Sequence, residues 1–188
     1  MVKPKYDALF LIGRPGCGKG TQAKLLKQRY GYAIVSTGAL FRKLAQKPTK
    51  VGKNVKRTLA QGKLMPSWLA MKVVLDALEK FPASRPVIFD GSPRTAQEAE
   101  WLLEALSWFG RNRVCAVHLH IAPVSSFERL FARNRHDDTR IAIRERLNEF
   151  EHKVALALRL LKRKKLLKEI NGNQPILKVA QDIRKALL

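Results

Sequence analysis

A glycine-rich loop near the amino terminus carries the residues best suited to chemistry. The loop reads Gly-Arg-Pro-Gly-Cys-Gly-Lys-Gly-Thr over residues 13–21. Its glycines let the backbone curl so that several N–H groups point at one anion, and a following helix adds the positive end of its dipole. Lys19 can reach the outer phosphates of a nucleotide, and Thr21 can hold Mg²⁺, although Gly20 separates the two residues that the general pattern has adjacent. The sequence therefore predicts a phosphate-binding loop.

The segments on either side of this loop predict the elements that hold it. The apolar run Ala8–Ile12 has the composition of a buried strand, and residues 22–28 begin a helix that extends to about Tyr30. Further strands are predicted at residues 32–36, 86–91 and 114–121. Helices are predicted at residues 37–44, 69–81, 95–109 and 125–133. Strands that alternate with helices indicate an α/β fold in three layers, with a central parallel sheet between helices.

The rest of the chain is predicted to be mainly helical. Residues 140–170 read as one long, basic amphipathic helix or a kinked pair, and residues 180–188 as a final helix. Residues 176–179 fit either a last strand or the start of that helix. Three tryptophans are expected to pack in the core, and two histidines are expected to be half-buried or on an edge strand rather than catalytic. These residues are Trp68, Trp101 and Trp108, and His118 and His120.

Length and composition favour a single globular domain. The chain has 188 residues and an apolar content of 46%, enough for a core and too high for disorder. Its two cysteines, Cys17 and Cys115, are too few for a disulfide framework and form no C-x-x-C pair, so we expect a reducing, cytoplasmic setting. No apolar run approaches the ~20 residues of a membrane span, and we expect no secretion signal and no membrane partner.

The charge balance favours anionic partners. Lysine and arginine number 37 against 15 acidic residues, for a net charge of +22. Nucleotides, nucleic acids and acidic membranes would all suit this charge. The run Lys-Arg-Lys-Lys at residues 162–165 makes nucleic acid a candidate partner. The sequence lacks the interleaved aromatic residues that stack on single-stranded bases, so nucleic-acid binding is not expected.

Several motifs together resemble one enzyme family. The segments are the loop at 13–21, Ser-Thr-Gly-Ala-Leu-Phe-Arg at 36–42, Asp-Gly-Ser-Pro-Arg at 90–94, and Arg129, Arg133, Arg135 and Arg146. Their order and spacing resemble those of adenylate kinases and related nucleoside monophosphate kinases. The resemblance covers nearly the whole chain. It implies one phosphate-loop kinase domain over residues 1–188, with a small acceptor-binding insertion at 36–66 and a short lid at 129–146.

The resemblance also implies a reaction and a set of roles. The reaction is reversible transfer of the terminal phosphate of ATP to AMP, with Mg²⁺, in a monomer whose partners are small nucleotides. The residues implied to be catalytic are Lys19, Arg94, Arg133, Arg135 and Arg146. Those implied to bind ATP are Gly16, Cys17, Gly18, Lys19, Gly20, Thr21, Arg129, Arg133 and Gln174. Those implied to bind the acceptor are Thr37, Arg42, Lys63, Leu64, Met65, Gly91, Ser92, Pro93, Arg94, Gln97, Arg135 and Arg146. Thr21 and Asp90, the latter through water, are implied to hold the metal.

The chain departs from the family pattern around the metal and the acceptor. Ala39 replaces the usual aspartate, which removes a carboxylate near the metal, and Ser92 replaces an aromatic residue, which removes packing. A base-reading glutamine is expected four residues after Arg94. The chain has Glu98 there, and Gln97 stands one residue early. Either a local helix shift lets Gln97 read the base, or another base is preferred.

The lid is expected to be short. Only Asn134 separates Arg133 from Arg135, where the family has a longer loop. Asp137 and Asp138 are expected to pair with the lid arginines when it closes. Because a lid excludes water from the transferring group, a shorter one should exclude it less completely.

Two alternatives remain open from the sequence. The first keeps the chemistry but takes UMP or CMP as the acceptor. The second is a nucleic-acid-binding protein, or another binding module, built on a nucleotide-kinase fold.

Overall fold

A computed structural model describes residues 4–133 and 139–188 of the chain. In this part of the chain, five parallel strands form one sheet in the order β2-β3-β1-β4-β5. The strands are β1 (Ala8–Ile12), β2 (Ala33–Ser36), β3 (Val87–Asp90), β4 (Val114–His120) and β5 (Leu167–Asn171). The predicted parallel α/β fold is therefore confirmed, and its first four strands lie where the sequence predicts them.

Helices connect the strands and cover both faces of the sheet. The described helices are α1 (Lys19–Tyr30), α2 (Thr37–Ala45), α3 (Lys50–Ala60), α4 (Ser67–Leu78), α5 (Ala96–Trp108), α6 (Pro123–Arg133), α7 (Arg140–Glu149), α8 (Ala155–Arg163) and α9 (Ile176–Leu187), with a π-helical segment, Phe150–Val154, between α7 and α8. The Thr95 hydroxyl accepts the backbone N–H of Glu98 at 3.0 Å and so caps the amino end of α5. None of these described helices is long and apolar enough to cross a bilayer.

The register of the strands brings their carboxyl ends together. Leu11 of β1 pairs with Asp90 of β3, and Ile12 pairs with His118 of β4. On the far side of β3, Ser36 of β2 pairs with Asp90. Ligands of open parallel sheets bind beyond the carboxyl ends of the strands, so the phosphate loop and Asp90 meet where a site is expected.

Two apolar clusters hold the central strand from both faces. Phe10 of β1 packs against Phe89 on one face, with ring centroids 5.6 Å apart. Leu9 and Leu11 point to the other face and pack beneath α1 and α9. Every residue of β1 is buried, because helices cover the sheet on both sides. The strand that leads into the phosphate loop is thus buried on both faces and paired along both edges.

The prediction of one long helix or a kinked pair over residues 140–170 is wrong at its end. Helix α8 stops at Arg163, and Leu167–Asn171 forms the edge strand β5, paired with β4. Lys165 adopts a left-handed backbone, φ 58°, at the turn between them. The hydrophobic pattern of a segment as short as Leu167–Asn171 is compatible with either a helix or a strand. The segment forms a strand because the edge of β4 offers backbone hydrogen-bond partners, which the sequence does not reveal. The open choice at residues 176–179 is settled as helix, the start of α9.

The prediction that the three tryptophans pack in the core is also wrong. Helix α5 turns Ala99, Leu102 and Leu106 toward the sheet, and these are fully buried. Trp101 and Trp108 lie on the other side of the helix, and Trp108 is 88% exposed. Trp68, on α4, is exposed as well. Helical spacing fixes which residues share a face, but packing decides which face is covered.

Candidate active site

The phosphate loop wraps tightly around the start of α1. Gly16 and Gly18 have φ of 83° and 95°, left-handed values that favour glycine. A side chain at Gly16 would also meet the carbonyl oxygen of Ser126 at 3.1 Å. The Lys19 amine donates to the carbonyl oxygens of Gly13 at 2.7 Å and Arg14 at 3.0 Å. Its positive charge therefore lies over the mouth of the loop, where an anion would be met by both the amine and the backbone N–H groups.

Arg14 fastens the loop to a distant part of the chain. Its guanidinium donates to the carbonyl oxygen of Ile121 at 2.7 Å and pairs with the Glu151 carboxylate at 2.6 Å. It also stacks over the Phe150 ring, 5.2 Å from the centroid. Arg14 is thus committed to holding the loop against the π-helical segment, although it stands next to the phosphate-binding backbone.

A cavity of about 720 Å³ opens from the loop along the carboxyl edge of the sheet. Among the described residues its lining is strongly basic, with eight lysines and arginines against one carboxylate, Asp90. The basic residues are Lys19, Lys24, Arg42, Lys63, Arg94, Arg129, Arg133 and Arg146. Such an excess of cations around one space suits a ligand that carries several phosphate groups.

Three of these arginines converge at one end of the cavity. Arg94 is held by a hydrogen bond of 2.7 Å from its Nε to the carbonyl oxygen of Gly91. The Thr37 hydroxyl donates to the same carbonyl at 3.0 Å. Burial lowers the pKa of Arg94, and the neighbouring positive charges of Arg146 and Arg42 lower it further. The carboxylates of Glu98 and Asp90 act in the opposite direction. An anion placed here would relieve the repulsion among the three guanidiniums.

Helix α6 supplies the arginines at the other end. Arg129 donates to the carbonyl oxygen of Gly172 and to Asn173 Oδ1, both at 3.2 Å. Arg133 also lines the cavity. Gln174 follows this segment but does not line the cavity. Its amide donates to the Asn171 carbonyl at 2.8 Å and to Asp182 at 3.1 Å.

Among the described residues that line the cavity, Asp90 is the one carboxylate. It accepts a hydrogen bond of 3.1 Å from the Ser36 hydroxyl. Its Oδ2 lies 3.6 Å from the point that a side chain at Gly20 would occupy, so it faces the start of α1. Thr21, one residue on, lines the same cavity. Oxygen ligands with a single carboxylate fit Mg²⁺, which keeps several waters and shares phosphate oxygens. Within residues 4–133 and 139–188, no three His, Cys, Asp or Glu residues gather to form a closed metal cage.

A smaller cleft lies beside the arginine cluster and holds a buried acid. Glu98 is 2% exposed and lines the cleft with apolar residues of the 36–66 segment and α4. Its carboxylate accepts the backbone N–H of Arg94 at 2.8 Å and the Ser67 hydroxyl at 3.3 Å. Burial raises the pKa of Glu98, and these hydrogen bonds oppose the rise. Gln97, the predicted base reader, is exposed and lines neither cavity.

The cavity and the cleft gather most of the predicted site residues. The cavity contains Gly16, Gly18, Lys19, Gly20, Thr21, Arg42, Lys63, Leu64, Asp90, Gly91, Pro93, Arg94, Arg129, Arg133 and Arg146. The cleft adds Thr37, Met65 and Ser92. Cys17, Gln97 and Gln174 line neither. Arg135, Asn134, Asp137 and Asp138 lie outside the described residues.

Sequence reasoning missed several contributors to the site. Lys24, Phe150 and Val154 line the cavity, and Arg14 ties the loop to Glu151. Lys24 lies on the helix predicted to follow the loop, five residues after Lys19. Phe150, Val154 and Glu151 belong to a helical segment more than a hundred residues away, and the sequence held no signal of its approach to the loop.

His118 lies behind the loop and does not contribute an acid or base. It is half-buried, stacked on the Phe150 ring with centroids 6.3 Å apart, and burial lowers its pKa to about 4. A neutral imidazole in this position packs against its neighbours at pH 7. His120 is exposed, and β4 pairs on both sides, so neither histidine lies on an edge strand.

Comparison with known proteins agrees with this geometry. The family model described as adenylate kinase matches residues 11–166. The adenylate kinase of Corynebacterium diphtheriae is 37% identical over 80% of this chain and 83% of its own. That of Prochlorococcus marinus is 34% identical over 95% of this chain and 97% of its own. Adenylate kinase 1 of a Synechocystis strain is 32% identical over 94% of this chain and 95% of its own.

Proposed function

The chain belongs to the adenylate kinase family, and from this premise we propose how its own side chains carry out the family reaction. The protein is a phosphotransferase, a nucleoside monophosphate kinase that transfers the terminal phosphate of ATP reversibly to AMP, giving two ADP. Phosphoryl transfer of this kind needs positioning and positive charge more than covalent chemistry. The observation that carries the assignment of roles is the cavity beside the phosphate loop, whose described lining includes eight cations and one carboxylate.

The phosphate loop is proposed to hold the donor. Backbone N–H groups from Gly16 to Thr21 would bind the ATP phosphates, aided by the positive end of α1. The Lys19 amine would leave the Gly13 and Arg14 carbonyls, 2.7 and 3.0 Å away, and follow the transferring phosphate. Arg129 is proposed to lie along the adenine of ATP and Arg133 along its phosphates.

The three converging arginines are proposed to hold the acceptor phosphate. Arg42 and Arg94 can each offer two parallel N–H groups to one phosphate, which fixes its direction toward the donor. Arg94 is already oriented by its bond to the Gly91 carbonyl, so it loses little freedom on binding. Arg146 would stabilise the charge that develops as the phosphate moves between nucleotides.

Asp90 and Thr21 are proposed to orient Mg²⁺, with Asp90 acting through metal-bound water. When bound, the ion neutralises charge on the outer phosphate oxygens of ATP. Ser36 supports Asp90 through its 3.1 Å hydrogen bond and so keeps the carboxylate turned to the loop. The usual second carboxylate is Ala39 here, so we expect weaker metal binding than in relatives that carry it.

Glu98, rather than Gln97, is proposed to read the acceptor base. The cleft that contains it is only about 10 Å³, room for about one water molecule, so its walls must part to admit a base. A neutral carboxyl group both donates and accepts a hydrogen bond, as an amide does, and so can pair with the edge of adenine. Burial raises the pKa of Glu98, which favours this neutral form. Leu64 and Met65 would pack on the base.

The moving parts are proposed to be residues 36–66, which carry the acceptor side, and residues 129–146, which form a short lid. The first segment has its own apolar cluster around Phe41 and Val55, as a unit that shifts as one body requires. Arg135, which lies outside the described residues, is proposed to join Arg133 and Arg146 on closure.

The cellular setting is proposed to be the cytoplasm, with the protein a monomer. Cys17 and Cys115 are both buried free thiols, which suits a reducing compartment.

A coupled assay of ADP formation from ATP with AMP, UMP or CMP tests these roles. Lys19→Ala should lower kcat by about a hundredfold to a thousandfold, as the loss of a donor aimed at a developing charge does. Lys27→Ala is the matched control, since it lies exposed on the last turn of the same helix. Equal rates for the two variants would contradict the role of Lys19. Faster turnover with UMP or CMP than with AMP would contradict the acceptor assignment.

A further inference from the structure

We propose that the edge of the sheet opposite the kinase cavity binds single-stranded nucleic acid, independently of phosphoryl transfer. The proposed amino-edge surface consists of Trp108, Lys162, Arg163, Lys164 and Lys165. All five residues are exposed, Trp108 to 88%. Nothing in the kinase reaction uses them.

The fold itself gathers these residues from two helices. Helices α5 and α8 each lead into a parallel strand, β4 and β5, so both end at the amino edge of the sheet. The two helices also pack side by side. The aromatic residue that the basic run lacks in sequence is therefore supplied by another helix that ends at the same edge.

The charge of this surface is uncompensated. Among the described residues, no carboxylate oxygen lies within 4.0 Å of the charged nitrogens of residues 162–165. A helix carboxyl end attracts cations only within its last turn. That effect accounts for Lys162 and Arg163 but not for Lys164 and Lys165, which follow the end of α8. Four adjacent positive charges without an ion pair among the described residues suit the phosphates of a polyanion.

Trp108 favours a single strand over a duplex. Its indole is the most exposed large apolar side chain among the described residues, and unpaired bases stack readily on such a ring. In a duplex the base faces are covered by their neighbours, so only the backbone would be contacted. Glu100 and Glu104 are exposed earlier on α5. Their negative charges confine the positive potential that attracts phosphates to the carboxyl end of the helix.

The test uses the full chain and a labelled oligouridylate of about 15 nucleotides, with saturating ADP present to block the kinase cavity. One variant replaces Lys162, Arg163, Lys164 and Lys165 with glutamine. The matched control replaces Lys27, Arg29, Lys178 and Lys185, which are also exposed and lie outside the cavity and the 36–66 segment, with glutamine, and so loses the same residue types and the same charge. Kd is measured between about 50 mM and about 200 mM salt. ADP formation from ATP and AMP is measured in separate samples of the same proteins, without added ADP.

We expect the amino-edge variant to bind at least tenfold more weakly at the lower salt and the control less than twofold. Loss of four phosphate contacts should reduce the slope of log K against log salt by about 3, at about 0.7 per contact on a single strand. Trp108→Leu should weaken binding by roughly fivefold to a hundredfold through lost stacking. All variants should keep ADP formation, because they lie away from the cavity.

Several results would overturn the proposal. These are no binding by the unaltered protein at the lower salt, equal weakening by the two glutamine variants, or a duplex of the same length bound as tightly as the single strand. Binding to phosphatidylserine vesicles that oligouridylate fails to displace would assign the surface to membranes instead. Because ADP formation is recorded separately, failure here leaves the kinase assignment intact, and the reverse also holds.

Discussion

Replacement of Glu98 by glutamine tests how the acceptor base is read. Glutamine keeps an oxygen to accept the backbone N–H of Arg94, now 2.8 Å from the carboxylate, and adds an amide that donates at any pH. The native carboxyl group donates only while it is protonated. Burial raises its pKa, so the proton is kept above the usual range for glutamate and is lost as the pH rises through the raised value.

The expected effect is a pH-dependent difference in KM for AMP. Below the usual glutamate pKa of about 4.3, both proteins should bind AMP alike. Above the raised pKa, the native protein loses one hydrogen bond, worth about 0.5–1.5 kcal/mol, and its KM should exceed that of Glu98→Gln by roughly threefold to tenfold. The ratio of the two KM values is the quantity to measure, since the AMP phosphate itself titrates near about pH 6.

The pH dependence of the free energy of unfolding tests the protonation of Glu98 independently. The folded state binds this proton more tightly than the unfolded state does, so the free energy of unfolding should fall as the pH rises through the raised pKa. Glu98→Gln should lack this decline. Glu100→Gln, exposed on the same helix, is the control and should follow the native protein in both measurements. A KM ratio that stays constant with pH, or a larger rise in KM from Gln97→Ala than from Glu98→Ala, would refute the assignment.

Three further predictions follow from single contacts. Arg94→Lys should lower kcat/KM for AMP by about tenfold to a hundredfold, because lysine cannot reproduce the paired N–H groups of arginine. The control Arg85→Lys, on the surface, should leave kcat/KM unchanged, and equal losses in the two variants would refute phosphate binding by Arg94. Arg111→Leu should lower Tm by about 6–12 °C in a thermal melt, because its buried guanidinium donates to the carbonyls of Phe81, Pro82 and Arg85 and their loss lowers the free energy of unfolding by about 3 kcal/mol. An unchanged Tm would contradict this. Glu151→Gln should raise KM for ATP by about twofold to fivefold and leave KM for AMP unchanged, because it loosens only the phosphate loop; equal shifts would contradict the tether.

At the acceptor end, contacts within one helix turn were predictable from the sequence, and contacts between helices were not. The cap formed by Thr95 with Glu98 was predictable because it joins residues three apart on one helix turn. The same helix turn could not show that Glu98 is buried and Gln97 exposed. That choice depends on α4 packing against α5, where Ser67 reaches the carboxylate across 31 positions of sequence.

The sequence by itself determined the phosphate loop, the buried strand before it and the alternation of strands and helices, because these depend on residue types within a few positions of one another. Only the tertiary structure decided that Leu167–Asn171 is a strand, since the unpaired edge of β4 provides its hydrogen bonds. It likewise decided that the tryptophans face solvent and that Arg14 is bound to Glu151, 137 positions away. Burial and ion pairing depend on which surfaces come into contact when the chain folds, and the spacing of residues along the chain does not specify those contacts.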